Sequence, residues 1–425
     1  MQCMKTALVV CCTLCLTIST VSAQTPPSSV RQILDSPEFK TATAFIAGDH
    51  QRFVSELVAL TQVPAPPFKE KKRGEAFLAL MRQLNLSDVE MDGAGNVLGV
   101  RKGTGSGPML AVLAHMDTVF PEGTDVTVRR DGGKFSAPGI GDNTRGLALM
   151  LALIRAMDAA KFQTPADILF VGNVGEEGEG DLRGTKFVFQ QGKYKDRIRN
   201  FIAIDGGDQS TITNGGVGSR RYRVTFKGPG GHSYSAFGLV NPAFAMGSAI
   251  AKFSRVQVPT EPKTTYSVGV VRGGTSINAI PFKVSMDVDM RSESCDALKK
   301  VEDQMLAIVR EATDEENKVR STAEGKIVAD PKLIGDRPCG KTAEATPLVQ
   351  TVSAAVSAFG LKPQLETSST DANFPMHLGI PAVTIGRGPS FRAHSLDEYT
   401  LIDPKADAQA AQVALTVILA AASLR

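Results

Sequence analysis

Residues 109–120 read MLAVLAHMDTVF, an apolar run that ends on His115 and, two positions later, on Asp117. A short, continuous apolar run predicts a strand that is buried on both faces, as in a mostly parallel sheet covered by helices. In open sheets of that type, ligands bind beyond the carboxyl ends of the strands. The polar pair that follows this run is therefore a candidate for a functional site.

Four further segments place ionisable residues at comparable positions. Residues 168–180 (ILFVGNVGEEGEG) and 201–207 (FIAIDGG) begin with apolar runs, residues 137–146 (APGIGDNTRG) form a glycine-rich turn before a helix, and residues 393–399 read AHSLDEY. The ionisable residues that these segments supply are Asp142, Glu176, Glu177, Asp205 and His394. With His115 they provide two His ligands, a carboxylate able to bridge and further carboxylates, which is the ligand chemistry of a catalytic zinc-type site.

Each of these motifs also has an ordinary structural explanation. His115 and Asp117 could be a polar pair at a strand end, Asp142 could cap a helix, and the glutamates could lie in a solvated loop. The functional interpretation is stronger because all five motifs occur in one chain, and three of them follow apolar runs. In this interpretation Glu177 binds a cation, and Glu176 takes a proton from a metal-bound water molecule.

The composition is that of an ordinary globular protein. The 425 residues are 42% apolar and 21% charged, with a formal net charge of +3. Because Lys and Arg form no block along the chain, the sequence gives no reason to expect nucleic-acid binding. The length is enough for two or three domains with ample core.

The first 23 residues are predicted to be a secretory signal peptide. Lys5 precedes the apolar run 7–16, and the small residues at 21–23 (VSA) are typical of a cleavage site. The apolar run is too short for a membrane-spanning helix. We therefore expect a protein that is secreted or periplasmic, without a membrane-spanning segment.

Two of the six cysteines, Cys295 and Cys339, lie outside the predicted signal peptide. In an oxidising compartment they could form a disulfide. Two separate buried thiols are equally compatible with the sequence, because spacing alone does not determine a bridge.

The chain is predicted to be an α/β protein whose catalytic domain is split by an insertion. Apolar runs at 97–101, 109–114, 168–172 and 201–204 predict strands, and helical patterns occur at 44–60, 69–84 and 147–159. From about residue 216 the strands alternate apolar and polar residues, which indicates a small α+β sandwich. We expect a catalytic domain of residues 24–215 and 337–425, with a mostly parallel sheet covered by helices, and an inserted domain of residues 216–336.

The motifs HMDTV, GIGDNTRG, GNVGEEGEGDLRG, AIDGG, GPGGHS and AHSLDE together resemble the co-catalytic di-zinc exopeptidases with an inserted lid and dimerisation domain. That superfamily includes tripeptidase T, carboxypeptidase G and acetylornithine deacetylase. The resemblance covers nearly the whole chain after the predicted signal and implies two Zn²⁺ ions, with Co²⁺ or Mn²⁺ as alternatives. It implies these roles: His115 and Asp205 on one ion, Glu177 and His394 on the other, Asp142 bridging both, Glu176 as general base, and Asp117 orienting His115.

The resemblance also extends to the predicted insertion. His232 in GPGGHS is similar to a donor for the tetrahedral oxyanion that is often supplied across a dimer interface. Asn278 and Arg291 resemble residues that hold a substrate carboxylate, a task that suits the fork of an Arg side chain. Ordinary surface polarity is the alternative for all three residues. Residues 369–373 (STDAN) and 386–388 (GRG) resemble pocket-lining loops to which we assign no role.

The expected function is that of an exported, homodimeric zinc exopeptidase that hydrolyses peptide bonds of small peptides beside a terminal carboxylate. A deacylase of N-acylated amino acids would use the same chemistry and is the first alternative. A catalytically inactive metal-binding scaffold is an alternative of a different class. A scaffold would have no need for Glu176, a carboxylate next to Glu177 that is not required as a ligand.

Overall fold

The computed structural model describes residues 28–105 and 107–424, so the predicted signal peptide lies outside the described residues. The helices in chain order are α1 Ser28–Asp35, α2 Pro37–Gly48, α3 His50–Thr61, α4 Lys71–Met81, α5 Gly146–Ala159, α6 Arg183–Gln190, α7 Pro242–Phe253, α8 Cys295–Val319, α9 Pro347–Ser357, α10 Asn373–His377 and α11 Pro404–Ala421. A π-helical turn spans Ile140–Arg145, and a 3-10 turn spans Gly178–Gly180.

The strands are distributed between the two parts of the predicted α/β architecture. In chain order they are β1 Ser87–Met91, β2 Val97–Arg101, β3 Met109–His115, β4 Arg129–Asp131, β5 Lys134–Ser136, β6 Ile168–Asn173, β7 Ile198–Gly206, β8 Thr211–Gly216, β9 Gly218–Lys227, β10 Gly231–His232, β11 Thr264–Gly273, β12 Ala279–Ile280, β13 Lys283–Ser292, β14 Val328–Arg337, β15 Gly340–Lys341, β16 Gln364–Ser368, β17 Ala382–Gly386, β18 Ser390–Phe391 and β19 Tyr399–Leu401.

Nine strands within the described residues form the central sheet, in the order β1-β2-β6-β3-β7-β17-β8-β15, with β16 also paired to β8. The central strands β6, β3, β7 and β17 run parallel to one another, whereas the edge strands β1 and β15 pair antiparallel. Every residue of β3 and β6 is buried, as their continuous apolar runs predict. The expected α/β fold with a parallel sheet at its centre is confirmed.

Helices cover both faces of the central sheet. Helix α5 is almost completely buried because its sequence, GLALMLALIRAMDA, is apolar around nearly the whole helix. Helices α2 and α3 pack against α5, and α9 and α11 belong to the same apolar cluster, which covers one face of the sheet. On the opposite face, residues of α6 and α10 pack against the sheet in a second cluster.

The single helix predicted for residues 44–60 is wrong, because the structure has two helices, α2 and α3, that meet at Asp49. The Asp49 carboxylate accepts hydrogen bonds from Nε and Nη2 of the buried Arg155, at 2.8 and 2.6 Å. Charged partners of this kind must meet inside the fold, and the chain turns at Asp49 to make the contact. The apolar periodicity on either side of Asp49 conceals this break.

A second unit, here called the inserted domain, comprises residues 218–337. Its four-stranded antiparallel sheet has the order β11-β13-β9-β14, and α7 and α8 pack on one face. Buried residues alternate along β13, and Leu298, Val301 and Met305 recur at helical spacing on α8. The chain passes between the two units at residues 216–218, the first crossover, and at residues 337–340, the second crossover.

A disulfide joins Cys295, the first residue of α8, to Cys339 in the second crossover, with 5.6 Å between the Cα atoms. The sequence left this pairing open, and the structure makes it. The bond ties the longest helix of the inserted domain to the segment that returns to the central sheet. Among the helices of the described residues, none combines the length and apolar character needed to cross a membrane.

Candidate metal centre

Ionisable side chains from three neighbouring strands meet at the carboxyl edge of the central sheet. His115 is the last residue of β3, Glu176 and Glu177 follow β6, and Asp205 lies near the end of β7. Because β6, β3 and β7 are parallel neighbours, their carboxyl ends lie side by side. Residues that are up to 90 positions apart in the chain are thereby brought into one cluster.

Two groups of three side chains share Asp142. The ligand atoms of His115, Asp142 and Asp205 lie within 4.8 Å of one another, and so do those of Asp142, Glu177 and His394. His115 Nε2 is 3.1 Å from Asp142 Oδ1, while His394 Nε2 is 3.4 Å from Asp142 Oδ2 and 2.7 Å from Glu177 Oε1. The Asp142 carboxylate thus directs one oxygen to each group. His and carboxylate donors in this arrangement fit a pair of zinc-type ions.

In the protein alone, the candidate ligand side chains are bonded to each other. Hydrogen bonds to Asp142 and Glu177 raise the pKa of His394 to about 10. Burial works against the charged form of His115, but hydrogen bonds to Asp117, Asp142 and Asp205 still raise its pKa well above the usual value. A cation that binds here would therefore displace protons from the two His side chains.

Asp117 supports the loop that carries the two glutamates. Its Oδ1 and Oδ2 accept hydrogen bonds from the backbone N–H groups of Glu176 and Glu177, at 3.0 and 2.8 Å. The Asp117 main-chain oxygen is 3.1 Å from His115 Nδ1, whereas its carboxylate oxygen is 3.6 Å away. The closer contact with His115 therefore comes from the backbone of Asp117, and its carboxylate orders the glutamate loop.

Glu398 holds the turn that carries Asp142. Its carboxylate is fully buried and accepts backbone N–H bonds from Gly139 at 3.1 Å, from Gly141 at 2.8 Å and from Asp142 at 2.8 Å. Burial raises the pKa of Glu398, and these backbone donors oppose the shift. Its position in AHSLDEY, four residues after His394, is the only sequence signal that points to this role.

Glu176 lies beside the candidate ligands and has a different partner. The carboxylate of Glu176 lies within 4.8 Å of the ligand atoms of His115 and Glu177, the same limit that holds within the other two groups. Distance alone therefore does not distinguish a general base from a metal ligand. Glu176 Oε1, however, accepts a hydrogen bond from Arg337 Nη1 at 2.9 Å. Burial raises the pKa of Glu176 well above its usual value, although Arg337 opposes this. A buried carboxylate with such a pKa is suited to acid–base chemistry.

A cleft of about 410 Å³ opens above the cluster. Besides the carboxylates, its walls contain four guanidinium groups, those of Arg221, Arg291, Arg337 and Arg387. Arg221 and Arg291 come from the inserted domain and share Asp289, at 3.1 and 2.8 Å from their Nε atoms. Arg387, in the GRG loop, contacts Asp205. The cleft therefore contains guanidinium groups beside the carboxylates of the cluster.

Two of the predicted site residues, His232 and Asn278, lie outside this cleft. His232 is exposed on the short strand β10 and pairs with Ala279 of β12, and Asn278 immediately precedes that strand. His232 Nδ1 accepts a hydrogen bond from the backbone N–H of Tyr234 at 3.2 Å. The structure therefore brings His232 and Asn278 close to each other but does not place them in the cleft of their own chain.

The STDAN loop, residues 369–373, bonds to the end of strand β6 and to both crossovers. Asp371 is buried and accepts a hydrogen bond from Asn173 Nδ2 at 2.8 Å, and burial raises its pKa to about 6. Asn373 Nδ2 donates to the carbonyls of Val217, at 2.8 Å, and Pro338, at 3.0 Å, which lie in the two crossovers. One amide group thus fixes both connections to the inserted domain.

Known proteins share both the sequence pattern and the fold of this chain. The pattern of peptidase family M20/M25/M40 matches residues 111–420, well over half of the chain. Carboxypeptidase G2 from Pseudomonas sp. (strain RS-16) is 25% identical over 211 residues, which are 48% of this chain and 50% of that protein. In that match the chain spans only half the length of its relative. Acetylornithine deacetylase from Myxococcus xanthus is 25% identical over 371 residues, 82% of this chain and 92% of that protein.

Two solved structures show the same fold. The aminopeptidase PepT of Bacillus cereus superimposes with a TM-score of 0.69 and 22% identity, covering 87% of this chain and 98% of its own. A dinuclear metal-binding peptidase of the M20 family from Bacillus subtilis gives a TM-score of 0.63 and 18% identity, covering 89% and 99%. With the metal-binding cluster and the matched pattern, these findings confirm the resemblance. The chain belongs to peptidase family M20/M25/M40 and is a metal-dependent hydrolase.

Proposed function

We propose that this protein is an exopeptidase that uses two zinc-class ions to hydrolyse the amide bond beside the terminal carboxylate of a small peptide. The observation that carries this proposal is the pair of ligand groups joined by Asp142, with buried Glu176 alongside. A pair of divalent cations supplies an acidified water molecule and stabilises charge on the amide oxygen. The residues that would hold them are His115 and Asp205 for one ion, Glu177 and His394 for the other, and Asp142 for both.

Glu176 would perform the proton transfers. As general base it accepts a proton from the attacking water, and as general acid it returns a proton to the leaving amine. A pKa raised by burial brings the carboxylate closer to the pH at which both transfers are efficient. The hydrogen bond from Arg337 fixes one oxygen of Glu176, which orients the side chain for this step.

Arg291 would bind the terminal carboxylate of the substrate. It lines the cleft, and its Nε bonds to Asp289 at 2.8 Å, which orients the guanidinium group and leaves its terminal nitrogens for a two-pronged bond. Arg221 on the neighbouring strand shares Asp289 and adds a second positive charge. This arrangement favours an exopeptidase over an enzyme that cuts within a chain, because it requires a free carboxylate near the bond that is cleaved.

We also propose that the protein is a homodimer formed through the inserted domain. His232 and Asn278 lie away from their own cleft, so they would act in the site of a partner subunit. Large apolar side chains surround them and are highly exposed: Tyr234 at 88%, Phe237 at 83% and Ile277 at 104%. A group of such residues is typical of a protein–protein contact. From the partner, His232 would donate a hydrogen bond to the oxyanion.

Export to the periplasm or the medium is the remaining part of the proposal. The features of residues 1–23 support it, and so does the Cys295–Cys339 disulfide. Disulfides persist in oxidising compartments and are rare in the cytosol. Detection of the mature chain, starting near residue 24, in the periplasm or medium would test this assignment.

A deacylase of N-acylated amino acids is the second candidate. The match to acetylornithine deacetylase extends over 92% of that protein, more than the match to carboxypeptidase G2. A deacylase would use the same ligands and the same base but would release an acyl group. Its substrate carboxylate would still need Arg291.

One digest separates these candidates. The zinc-loaded protein is incubated with a peptide library and with a panel of N-acyl amino acids, and products are identified by mass spectrometry. Loss of single terminal residues supports an exopeptidase and shows which end is trimmed, whereas cleavage of the acyl panel alone supports a deacylase. Protein that binds both ions but cleaves neither set contradicts both. Chelated protein and the Glu176→Gln variant serve as controls.

A further inference from the structure

The loop that carries both glutamates, residues 176–181, is held by Asp117 of the catalytic domain and also by contacts from outside that domain. Its contacts with the inserted domain and the second crossover occur at four successive points. They are Arg337 Nη1 to Glu176 Oε1 at 2.9 Å, Arg221 Nη1 to the Gly178 carbonyl at 2.6 Å, Arg223 Nη2 to Glu179 Oε1 at 3.9 Å, and the Asp336 N–H to both Asp181 carboxylate oxygens at 2.9 Å. The base and one ligand of the proposed metal pair therefore lie on a loop that contacts the inserted domain.

Asp181 makes the most specific of these contacts. Asp181 and Leu182 both have left-handed backbone conformations, with φ of 54° and 60°. Aspartate adopts this conformation more readily than most residues, but leucine holds it only where its surroundings enforce it. Lys186 Nζ donates to Asp181 Oδ2 at 2.7 Å and also to the Asp336 carbonyl at 2.9 Å. Asp181, Lys186 and Asp336 thus form a closed set of contacts at the end of the loop.

The segment that Asp181 contacts is the end of β14, which is bonded to other elements of the inserted domain. Asp336 is paired with Arg220 of β9, and Cys339, three residues later, is bonded to Cys295 of α8. A movement of the inserted domain would therefore be passed to Asp336 and to Arg337 beside it. Both of these residues contact the glutamate loop directly.

We propose that Asp181 is a positioning residue that couples the inserted domain to the metal centre. While Asp181 holds Asp336 at the end of β14, Glu176 and Glu177 lie in their working positions. When this contact is lost, the loop shifts and both glutamates move with it. The inference rests on the proposed function, because Glu177 is taken as a metal ligand and Glu176 as the base. Asp181 itself does not touch the ligand atoms.

Asp181→Gly is the informative variant. Glycine adopts a left-handed conformation without steric cost, so the substitution removes the contacts to Asp336 and Lys186 without adding backbone strain. Asp88→Gly is the matched control. Asp88 also has a left-handed backbone, with φ of 53°, and it bonds to Lys193 Nζ at 3.0 Å, but it lies on edge strand β1. Asp181→Asn is the conservative variant, because asparagine keeps an acceptor for the Asp336 N–H and tolerates the same backbone.

We expect Asp181→Gly to lower kcat by about 10- to 100-fold, the scale of a small misplacement of a catalytic group, with KM within about twofold. Calorimetric titration of the metal-free protein should show that the ion held by Glu177 and His394 binds about tenfold more weakly. Asp181→Asn should recover most of both losses. Asp88→Gly should remain within about twofold of the unmodified protein in kcat and in metal affinity.

Two results would overturn the proposal. One is an Asp181→Gly variant that keeps both kcat and metal affinity at the level of Asp88→Gly. The other is an Asp181→Gly variant that loses both ions equally together with its cooperative unfolding transition, since that pattern means general destabilisation. If the unmodified protein cleaves no amide substrate, the proposed function fails, but the comparison of metal affinities still decides whether Asp181 positions the Glu177 ligand.

Discussion

Glu176 and Glu177 are adjacent in the chain, and the same aspartate holds their backbone N–H groups. Their side chains have different partners, because Glu177 Oε1 is 2.7 Å from His394 Nε2 while Glu176 Oε1 is bonded to Arg337. A carboxylate whose partner is a His side chain can exchange that partner for a cation. Arg337 instead holds one oxygen of Glu176 in place, and the Glu176 carboxylate remains available for proton transfer.

This difference predicts opposite effects for two matched substitutions. Glu176→Gln should retain both ions and bind substrate, while kcat falls by roughly 10²- to 10⁴-fold, the usual scale for loss of a general base. Glu177→Gln should lose affinity for one of the two ions. Metal analysis by mass spectrometry and steady-state kinetics check both expectations. Metal loss in Glu176→Gln with retention in Glu177→Gln would mean that the two roles are exchanged.

The His ligands predict how metal affinity changes with pH. The pKa of His394 is raised to about 10 in the protein alone, so its ring carries a proton near neutral pH. A metal ligand must be a neutral imidazole, so that proton must leave when a cation binds. We therefore expect apparent affinity to rise with pH up to about 10, with proton release near pH 7. Calorimetry in two buffers of different ionisation enthalpy measures the release, and its absence would contradict this ligand assignment.

At the scale of elements, the turn that carries Asp142 depends on one distant carboxylate. Glu398 accepts three backbone N–H groups of this turn, and Asp142 is shared by both ligand groups. Glu398→Ala should lower the free energy of unfolding by about 1–3 kcal/mol for each buried N–H left without a partner. It should also lower the affinity for both ions by about 10- to 100-fold, because Asp142, the shared ligand, loses its support. Urea unfolding measures the change in stability, and calorimetric titration measures the metal affinities. A loss of affinity for one ion alone would contradict the shared role of Asp142.

Elements with a clear pattern of apolar and polar residues could be predicted from the sequence, and elements without such a pattern could not. Strands β3 and β6 are buried on both faces, so their apolar runs predict them closely. The sequence of β14, VADPKLIGDR, has no alternation of apolar and polar residues, because half of its residues are exposed, and its pattern predicts no strand. The local pattern does not predict the break at Asp49 either, since the break depends on Arg155, which is more than 100 residues away.

The candidate site shows the same limit. Residues that follow apolar strands could be identified, because position in the chain and chemical type point to the same edge of the sheet. Arg337 could not be identified. It lies where the chain returns from the inserted domain, and its importance comes only from its contact with Glu176, 161 residues earlier. A polar residue in a crossover has no periodic signal, so its role becomes visible only when both domains are in place.

At the scale of the whole molecule, the exposed position of His232 leads to a prediction about assembly. His232 lies on a short strand pair of the inserted domain, among exposed apolar side chains, and outside the cleft of its own chain. If it donates to the oxyanion in a partner subunit, His232→Ala should lower kcat by roughly 10²- to 10³-fold. Metal content should not change, because the ligands all lie on other segments. Analytical ultracentrifugation should show a dimer.

Mixing two inactive variants tests donation between subunits directly. A dimer of one His232→Ala subunit and one Glu176→Gln subunit contains one site with both residues intact and one site with neither. Random exchange in equal amounts should therefore restore about a quarter of the unmodified activity, since half of the dimers are mixed and each has one working site. If His232 acted within its own chain, each site of the mixed dimer would lack one residue and no activity would return. Native mass spectrometry must show the mixed dimer, so that an inactive mixture counts against donation between subunits.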